Sequence, residues 1–349
     1  MREREGEPRR GIAARHGNGA LPARNDGVQI PPAVAPMTKQ RETEEPRHLH
    51  RTTRLNPSRH ELEALYGQIG RYCWFLANDA GTQTGTAILI SLGDRRLLAT
   101  AAHVVEGCER IGAARPNRAG AATSPCRVIA VSPEADVAVL APPPGAYEDL
   151  RKGAAVPERL LLSRLPRCYE HPVLIAGFPA VLFTRTRNST GVALCTYNGC
   201  TARNVDWPTA RFDGRPLDPA RDLIIPTADS YDLSLRDADD VTRIWRTAEG
   251  PIVPPKGVSG GGIWLAADRT GTVWSPDCSL IGIQVSTLPG RKYLRGTSIC
   301  AWLELVGGSF PDLKPAIRRI NRNADAFWRK QLRRGEANAA SNVGLNSTL

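Results

Sequence analysis

The sequence predicts an all-β protein made of two six-stranded β-barrels, with short flanking helices and disordered tails. Short apolar runs separated by Gly, Pro and Asp recur through the middle of the chain, without long helical patterns between them. Such spacing is typical of β-sandwiches and β-barrels. The composition, 41% hydrophobic and 23% charged over 349 residues, is that of a globular domain.

The predicted strands fall into two groups, one for each barrel of a domain covering 58–310. The first barrel, about 58–165, follows a short helix that starts near Ser58, and its predicted strands are 71–77, 85–92, 96–100, 126–132 and 136–140. The second barrel, about 166–310, has predicted strands at 173–177, 191–197, 223–227, 262–267, 280–285 and 297–303.

The two ends differ from this body. Residues 1–57 are rich in Arg, Glu, Pro, Gly and Ala and show no hydrophobic period, so we expect a disordered tail, part of which is absent if translation starts at Met37 instead of Met1. Residues 311–349 are expected to form a basic helix followed by a flexible tail. The net charge of +11 is concentrated in these ends, which argues against a nucleic-acid partner for the body.

The chain shows no secretory signal, because no apolar run follows the charged N-terminus, and no segment reaches the roughly 18 apolar residues that span a bilayer. We therefore expect a cytoplasmic protein without a membrane partner. In a reducing compartment the eight cysteines are expected to be small buried hydrophobic residues. Cys195 and Cys200 lack a second close pair, so no metal or cofactor is expected.

A candidate general base is His103, at the end of the apolar run Leu97-Leu98-Ala99-Thr100-Ala101-Ala102. A histidine held at the end of a rigid strand has the pKa range and the fixed orientation that base catalysis needs. The other histidine of the body, His171, precedes Pro172 and is the weaker candidate.

A candidate partner for that base is Asp136, which opens the apolar run Val137-Ala138-Val139-Leu140. Its carboxylate would accept a hydrogen bond from the second imidazole nitrogen and fix the tautomer. Glu134 and Asp94 are alternatives, but neither directly heads the apolar run. An aspartate in a turn before a strand is common, so this signal is weak by itself.

The candidate nucleophile is Ser259, in the run Gly257-Val258-Ser259-Gly260-Gly261-Gly262. Glycines allow a tight main-chain turn and the close approach of a substrate, and the amides of Gly257 and Ser259 would form an oxyanion hole. A phosphate-binding loop is excluded because no Gly-Lys-Ser/Thr follows. An α/β-hydrolase is excluded because its histidine follows the serine, and here no histidine follows His171.

Taken together, Thr100-Ala101-Ala102-His103, Asp136-Val137-Ala138-Val139-Leu140 and Gly257-Val258-Ser259-Gly260-Gly261 resemble the three signatures of the trypsin-like serine peptidases, in the same order. The resemblance covers roughly 70–305 and is greatest to the bacterial branch that includes the Deg-type proteases, here without a PDZ domain. It implies the chymotrypsin fold and a serine endopeptidase that cleaves protein or peptide substrates through His103, Asp136 and Ser259.

The resemblance also implies a substrate pocket. Val253 stands where the base of the primary pocket is found, and Val285, Ser286 and Thr287 end the strand that lines the cleft. We therefore expect a small or apolar side chain before the cut. Val258 replaces the Asp of digestive enzymes, so activation by a cleaved N-terminus is not expected. The enlarged stretch 201–255, with Trp207, is either a surface loop, a lid or a surface for a regulatory protein partner.

Two alternatives stay open at this point. One is a protein-binding module that keeps the protease fold but not the activity. The other is a nucleic-acid binder that acts through its basic tails.

Overall fold

A computed structural model describes the chain outside its least certain segments. The described residues are 64–65, 67–78, 82–114, 124–143, 154–166, 171–180, 184–185, 190–191, 194–203, 207, 216–226, 233–236, 244–246, 256–265, 278–287 and 293–345. The predicted tail 1–57, the predicted helix start at Ser58, the predicted pocket residue Val253 and most of the stretch 201–255 lie outside these residues.

The first barrel is closed and has six antiparallel strands, as predicted. They are β1 (Cys73–Asn78), β2 (Gln83–Leu92), β3 (Arg95–Thr100), β4 (Ile111–Ala114), β5 (Ser124–Ser132) and β6 (Val137–Ala141), arranged in the order β1-β2-β3-β6-β5-β4. Aliphatic residues of β2, β3 and β6 fill the interior. The sequence analysis missed β4, because Ile-Gly-Ala-Ala has no alternating pattern and is defined by its pairing with β1 and β5.

The second sheet has eight described strands instead of the predicted six. Its order is β11 (Asp222–Pro226), β16 (Tyr293–Ser298), β15 (Ser279–Thr287), β14 (Gly262–Leu265), β7 (Pro172–Gly177), β10 (Leu194–Cys200), β12 (Leu233–Arg236) and β13 (Ile244–Arg246); β8 (Thr184–Arg185) and β9 (Thr190–Gly191) form a separate hairpin.

The sheet curves back on itself just after β10. The Ala202 amide donates a hydrogen bond to the Ile224 carbonyl oxygen at 2.7 Å, which joins the end of the β10 segment to β11. The six strands from β11 to β10 in this order are consistent with the predicted second barrel, and the two additional strands, β12 and β13, come from the stretch 201–255. An all-β, two-barrel fold is thus confirmed.

Three helices have defined bounds: α1 (Ala102–Val105), α2 (Ile299–Ser309) and α3 (Lys314–Leu345). The predicted strand 297–303 is wrong, because only its first two residues belong to β16. The Ser298 hydroxyl accepts a hydrogen bond from the Cys300 amide and caps α2. Ile299, Trp302, Leu303 and Val306 are all buried at helical spacing, a pattern that was visible in the sequence.

The helix α3 packs along the body through one narrow apolar face. Ile320, Ala324 and Trp328 are buried, and the Trp328 ring lies 5.1 Å from the His171 ring. An ion pair from Arg319 to Glu158 at 2.7 Å also ties the helix to the first barrel. Among the described helices, none is long and apolar enough to cross a membrane.

A buried ion pair joins two strands of the second sheet. The Arg295 guanidinium donates two hydrogen bonds, of 3.0 and 2.9 Å, to Oδ1 of Asp222, and both side chains are almost fully buried. The Asp218 amide donates to the other carboxylate oxygen at 2.7 Å. Every oxygen of this buried charge therefore has a donor, as a buried carboxylate requires.

We expect Arg295→Gln to lower the free energy of unfolding by about 3–5 kcal/mol, because the buried Asp222 carboxylate loses its hydrogen-bonded guanidinium and keeps only Arg221, whose Nε is 3.9 Å away. The matched control is Arg95→Gln, which removes an exposed pair with Asp312 and should cost about 1 kcal/mol or less. Urea unfolding followed by circular dichroism measures both changes. Equal losses of unfolding free energy in the two variants would contradict a stabilising role for the buried Arg295–Asp222 pair.

Candidate active site

His103 and Asp136 form a direct pair at the rim of the first barrel. His103 lies on α1, immediately after β3, and Asp136 immediately precedes β6, which pairs with β3. Nδ1 of His103 is 3.0 Å from each carboxylate oxygen of Asp136, and the His103 amide donates to Oδ1 at 3.0 Å. The carboxylate therefore fixes both the ring and the backbone of the histidine. The His103 side chain is 43% exposed, so it remains accessible.

The backbone at Asp136 has a φ of 52°, a conformation that residues other than glycine rarely adopt. Two hydrogen bonds hold this turn. The Asp136 amide donates to the Pro133 carbonyl oxygen at 3.3 Å, and the hydroxyl of Thr297, on β16 of the second barrel, donates to the Ala135 carbonyl oxygen at 2.6 Å. Thr297 is fully buried. The second barrel thus positions the carboxylate of the first.

Ser259 lies in a tight turn between Lys256 and β14. Gly257 and Gly260 have φ of 92° and 87°, a region that favours glycine. A side chain at Gly260 would collide with the Thr86 carbonyl and the Thr100 hydroxyl, and one at Gly261 would collide with the Ala176 carbonyl. The glycines next to the serine are therefore required by the packing of this turn.

Thr86 of β2 connects the serine turn to the first barrel. Its amide donates to the Ser259 carbonyl oxygen at 2.8 Å, and its hydroxyl donates to the Gly257 carbonyl oxygen at 3.0 Å. The same hydroxyl accepts from the Phe178 amide at 3.0 Å. The Thr86 side chain is fully buried, so these bonds are shielded from water.

Gly85 brings the serine turn to the helix that carries the histidine. A Cβ atom at Gly85 would lie 2.7 Å from both methyl groups of Val104 and 2.8 Å from the Ser259 carbonyl oxygen. Ser259 and the neighbour of His103 therefore meet at the same point of β2, where only glycine fits. Sequence reasoning missed Gly85, although a single glycine inside a strand often marks such a close approach.

The hydroxyl of Ser259 faces the end of β15. It donates to the Val285 carbonyl oxygen at 3.3 Å. The Gly260 amide donates to the Gln284 carbonyl oxygen on β15, and the Gly261 amide donates to the Val258 carbonyl oxygen within the turn. Among the described residues, the Ser259 amide donates no backbone hydrogen bond. That the Ser259 amide contributes to an oxyanion hole stays a prediction from the sequence.

The remaining residues that the sequence analysis named as candidates for the site make other contacts. His171 lies beneath α3 with Nε2 2.9 Å from the Pro166 carbonyl oxygen, and the Glu134 carboxylate accepts from the Ser132 hydroxyl. Ser286 and Thr287 follow Val285 at the end of β15. Trp207 donates its indole N–H to the Ala202 carbonyl oxygen.

Burial makes three of the cysteines poor nucleophiles. Seven of the eight cysteines are described, and no disulfide joins any two of those seven. Burial raises the pKa of the Cys73 and Cys195 thiols far above the usual range and raises the pKa of Cys126 to about 12, despite an opposing hydrogen bond with the Ala113 backbone. These three thiols therefore stay protonated at neutral pH, and the thiolate is the nucleophilic form.

Solved structures similar to this chain include three proteases. The HtrA-type protease AlgW with decapeptide is 15% identical, with a TM-score of 0.42, over 71% of this chain and 67% of that chain. The serine endoprotease from Yersinia pestis is 15% identical, with a TM-score of 0.42, over 72% and 66%. The MamO protease domain from Magnetospirillum magneticum is 14% identical, with a TM-score of 0.39, over 68% and 97%.

The match therefore spans about two thirds of the first two of those chains. No family model matches this sequence, and no curated protein matches it either.

We expect Thr86→Val to lower the free energy of unfolding by about 2 kcal/mol, because it removes two buried hydrogen bonds while keeping the shape of the side chain. Thr86→Ser keeps the hydroxyl and should retain most of that stability. Urea unfolding of both variants gives the comparison. If Thr86→Ser, which loses only the methyl group, is no more stable than Thr86→Val, which loses the hydroxyl, these hydrogen bonds do not hold the turn.

Proposed function

We propose that this chain is a serine endopeptidase that hydrolyses peptide bonds through an acyl-enzyme. The observation that carries the proposal is the His103–Asp136 pair, with Nδ1 3.0 Å from both carboxylate oxygens, on the barrel edge that contacts the Ser259 turn. An imidazole whose Nδ1 is bound to a carboxylate presents Nε2 as a base. In this arrangement Ser259 is the hydroxyl that the base would activate.

The proposed reaction uses only these residues and water. His103 takes the proton from Ser259 as its Oγ attacks the substrate carbonyl carbon, and the amides of Gly257 and Ser259 bind the oxyanion. His103 then protonates the leaving amine. Water attacks the acyl-enzyme with His103 as base and releases the acid and free Ser259. Asp136 stabilises the imidazolium of His103 during both acylation and deacylation.

Several finer points remain predictions from the sequence. They are the cytoplasmic location, a regulatory protein partner and the preference for a small or apolar residue before the cut. Substrate would bind along the end of β15, at Val285, Ser286 and Thr287, because the Ser259 hydroxyl lies against the Val285 carbonyl.

We expect a fluorophosphonate probe to label the wild-type protein covalently and to leave Ser259→Ala unlabelled, because the reagent reacts with an activated serine hydroxyl. His103→Ala should lower the labelling rate by about three orders of magnitude. The matched control is Ser309→Ala, which alters an exposed hydroxyl that bonds only to its own helix and should label normally.

Labelling of Ser259→Ala at the wild-type rate would contradict the assignment of the nucleophile. An unlabelled wild-type protein that nevertheless binds peptides would favour the alternative, a protease-fold binding module without turnover.

We further expect Thr297→Val to lower kcat of peptide hydrolysis roughly tenfold or more with little change in KM, because the turn at Asp136 loses its bond from the second barrel. Thr297→Ser, which keeps the donor, should restore most of kcat. Titration of the reactive serine with the fluorophosphonate probe normalises kcat to the active fraction of each variant. Equal kcat values for Val and Ser would contradict this positioning role.

A further inference from the structure

The solvent-exposed side of α3 carries a row of basic side chains. The helix packs on the body through buried Ile320, Ala324 and Trp328, so its remaining side faces solvent. Exposed cations follow that side within an arc of about 100° and over a length of about 28 Å. We call this row the basic stripe, and its members are Lys314, Arg318, Arg322, Arg329 and Arg333.

Contacts on the other side of α3 hold the basic stripe in place. The Ser163 hydroxyl donates to Oδ1 of Asn321 at 2.7 Å, and the Trp328 ring lies 5.1 Å from the His171 ring. The apolar face of the helix is therefore used by the body itself. A helix that binds a lipid surface needs an exposed apolar face to insert. The basic stripe offers charge contacts instead, and a site preorganised in this way loses less conformational entropy when its partner binds.

The protein does not neutralise the charges of the basic stripe. Acids on α3 or beside it already have other cations, in the pairs Asp312–Arg95, Glu158–Arg319 and Asp325–Arg164. Among the described residues, no member of the stripe has an acidic partner. The Nε atoms of Arg329 and Arg333 donate to carbonyl oxygens of the preceding turn, which carry no formal charge.

Neighbouring members of the stripe repel each other. Like charges four residues apart on a helix destabilise it, whereas opposite charges at that spacing stabilise it. Three like-charged pairs occur here: Lys314–Arg318, Arg318–Arg322 and Arg329–Arg333. A polyanion bound along the stripe would relieve this repulsion.

The length and the residue types of the stripe indicate the class of polyanion. Each strand of a DNA duplex carries a phosphate about every 3.4 Å along the helix axis, so a row of about 28 Å meets several phosphates in succession. Four of the five members are arginines, whose planar guanidinium groups bind phosphate through paired hydrogen bonds. None of the five is an aromatic residue that would stack on unpaired bases. We propose that the basic stripe binds the phosphate backbone of a double-stranded nucleic acid without reading its sequence.

This surface is separate from the proposed peptidase site, since it shares no residue with His103, Asp136 or Ser259. Its test does not require peptide hydrolysis. Failure of one proposal therefore leaves the other standing.

The experiment titrates a fluorescently labelled DNA duplex of about 20 base pairs with the full chain, followed by anisotropy, at salt from about 50 to 200 mM. We expect saturable binding that weakens with salt, because each phosphate contact contributes about 0.9 to the slope of log affinity against log salt. Arg318→Gln combined with Arg322→Gln should weaken binding about tenfold or more and lower the slope by about two. Arg318→Lys combined with Arg322→Lys keeps both charges and should keep the slope.

The matched control is Arg110→Gln combined with Arg127→Gln, which removes the same charge from exposed positions of the first barrel and should keep the slope of the wild-type protein. Thermal melting of each variant checks that it is folded. The proposal is overturned if the duplex gives no saturable binding, or if the glutamine variant of α3 binds it like the wild-type protein. It is also overturned if the control weakens binding as much, or if vesicles containing phosphatidylserine are bound and the duplex is not.

Discussion

The geometry of the candidate site depends on the hydrogen bonds of one buried residue, Thr86. Its amide, hydroxyl and carbonyl contact Ser259, Gly257 and the Thr100 hydroxyl, so a single position of β2 fixes the serine turn against the strand that leads to His103. Because the residue is fully buried, water does not compete for these bonds. The candidate base, His103, belongs to the first barrel and the candidate nucleophile, Ser259, to the second. Their relative position is therefore set by this contact and not by either barrel alone.

A second threonine, Thr297, connects the second barrel to the first. Its hydroxyl donates a hydrogen bond to the carbonyl oxygen of Ala135, the residue before Asp136. It also lies opposite Asp222 in the β11–β16 pair, next to the buried charge of Arg295. The turn at Asp136 keeps a positive φ, which is a strained conformation for a side-chain-bearing residue and persists only where surrounding bonds fix it. Each barrel thus holds the functional turn of the other.

The sequence was sufficient for the parts of this structure that local pattern determines. Short apolar runs predicted β2, β6 and β15, and the order of His103, Asp136 and Ser259 selected the three residues later found around the barrel junction. The run after Thr297 was misassigned because apolar residues at helical spacing were taken for a strand. The roles of Thr86 and Thr297 were not predictable, because their partners lie 171 and 162 positions away in sequence. A threonine within a strand gives no sign of such a partner.

The glycine run at Ser259 has a structural reason that is independent of catalysis. Gly260 adjoins the Thr86 carbonyl, Gly261 the Ala176 carbonyl and Gly262 the indole of Trp264. A protein that kept this fold without turnover would therefore keep these glycines as well. The run supports the fold of the turn, whereas the case for catalysis depends on groups that the packing does not require. Those groups are the hydroxyl of Ser259 and the exposed imidazole of His103, whose Nδ1 is bound to Asp136.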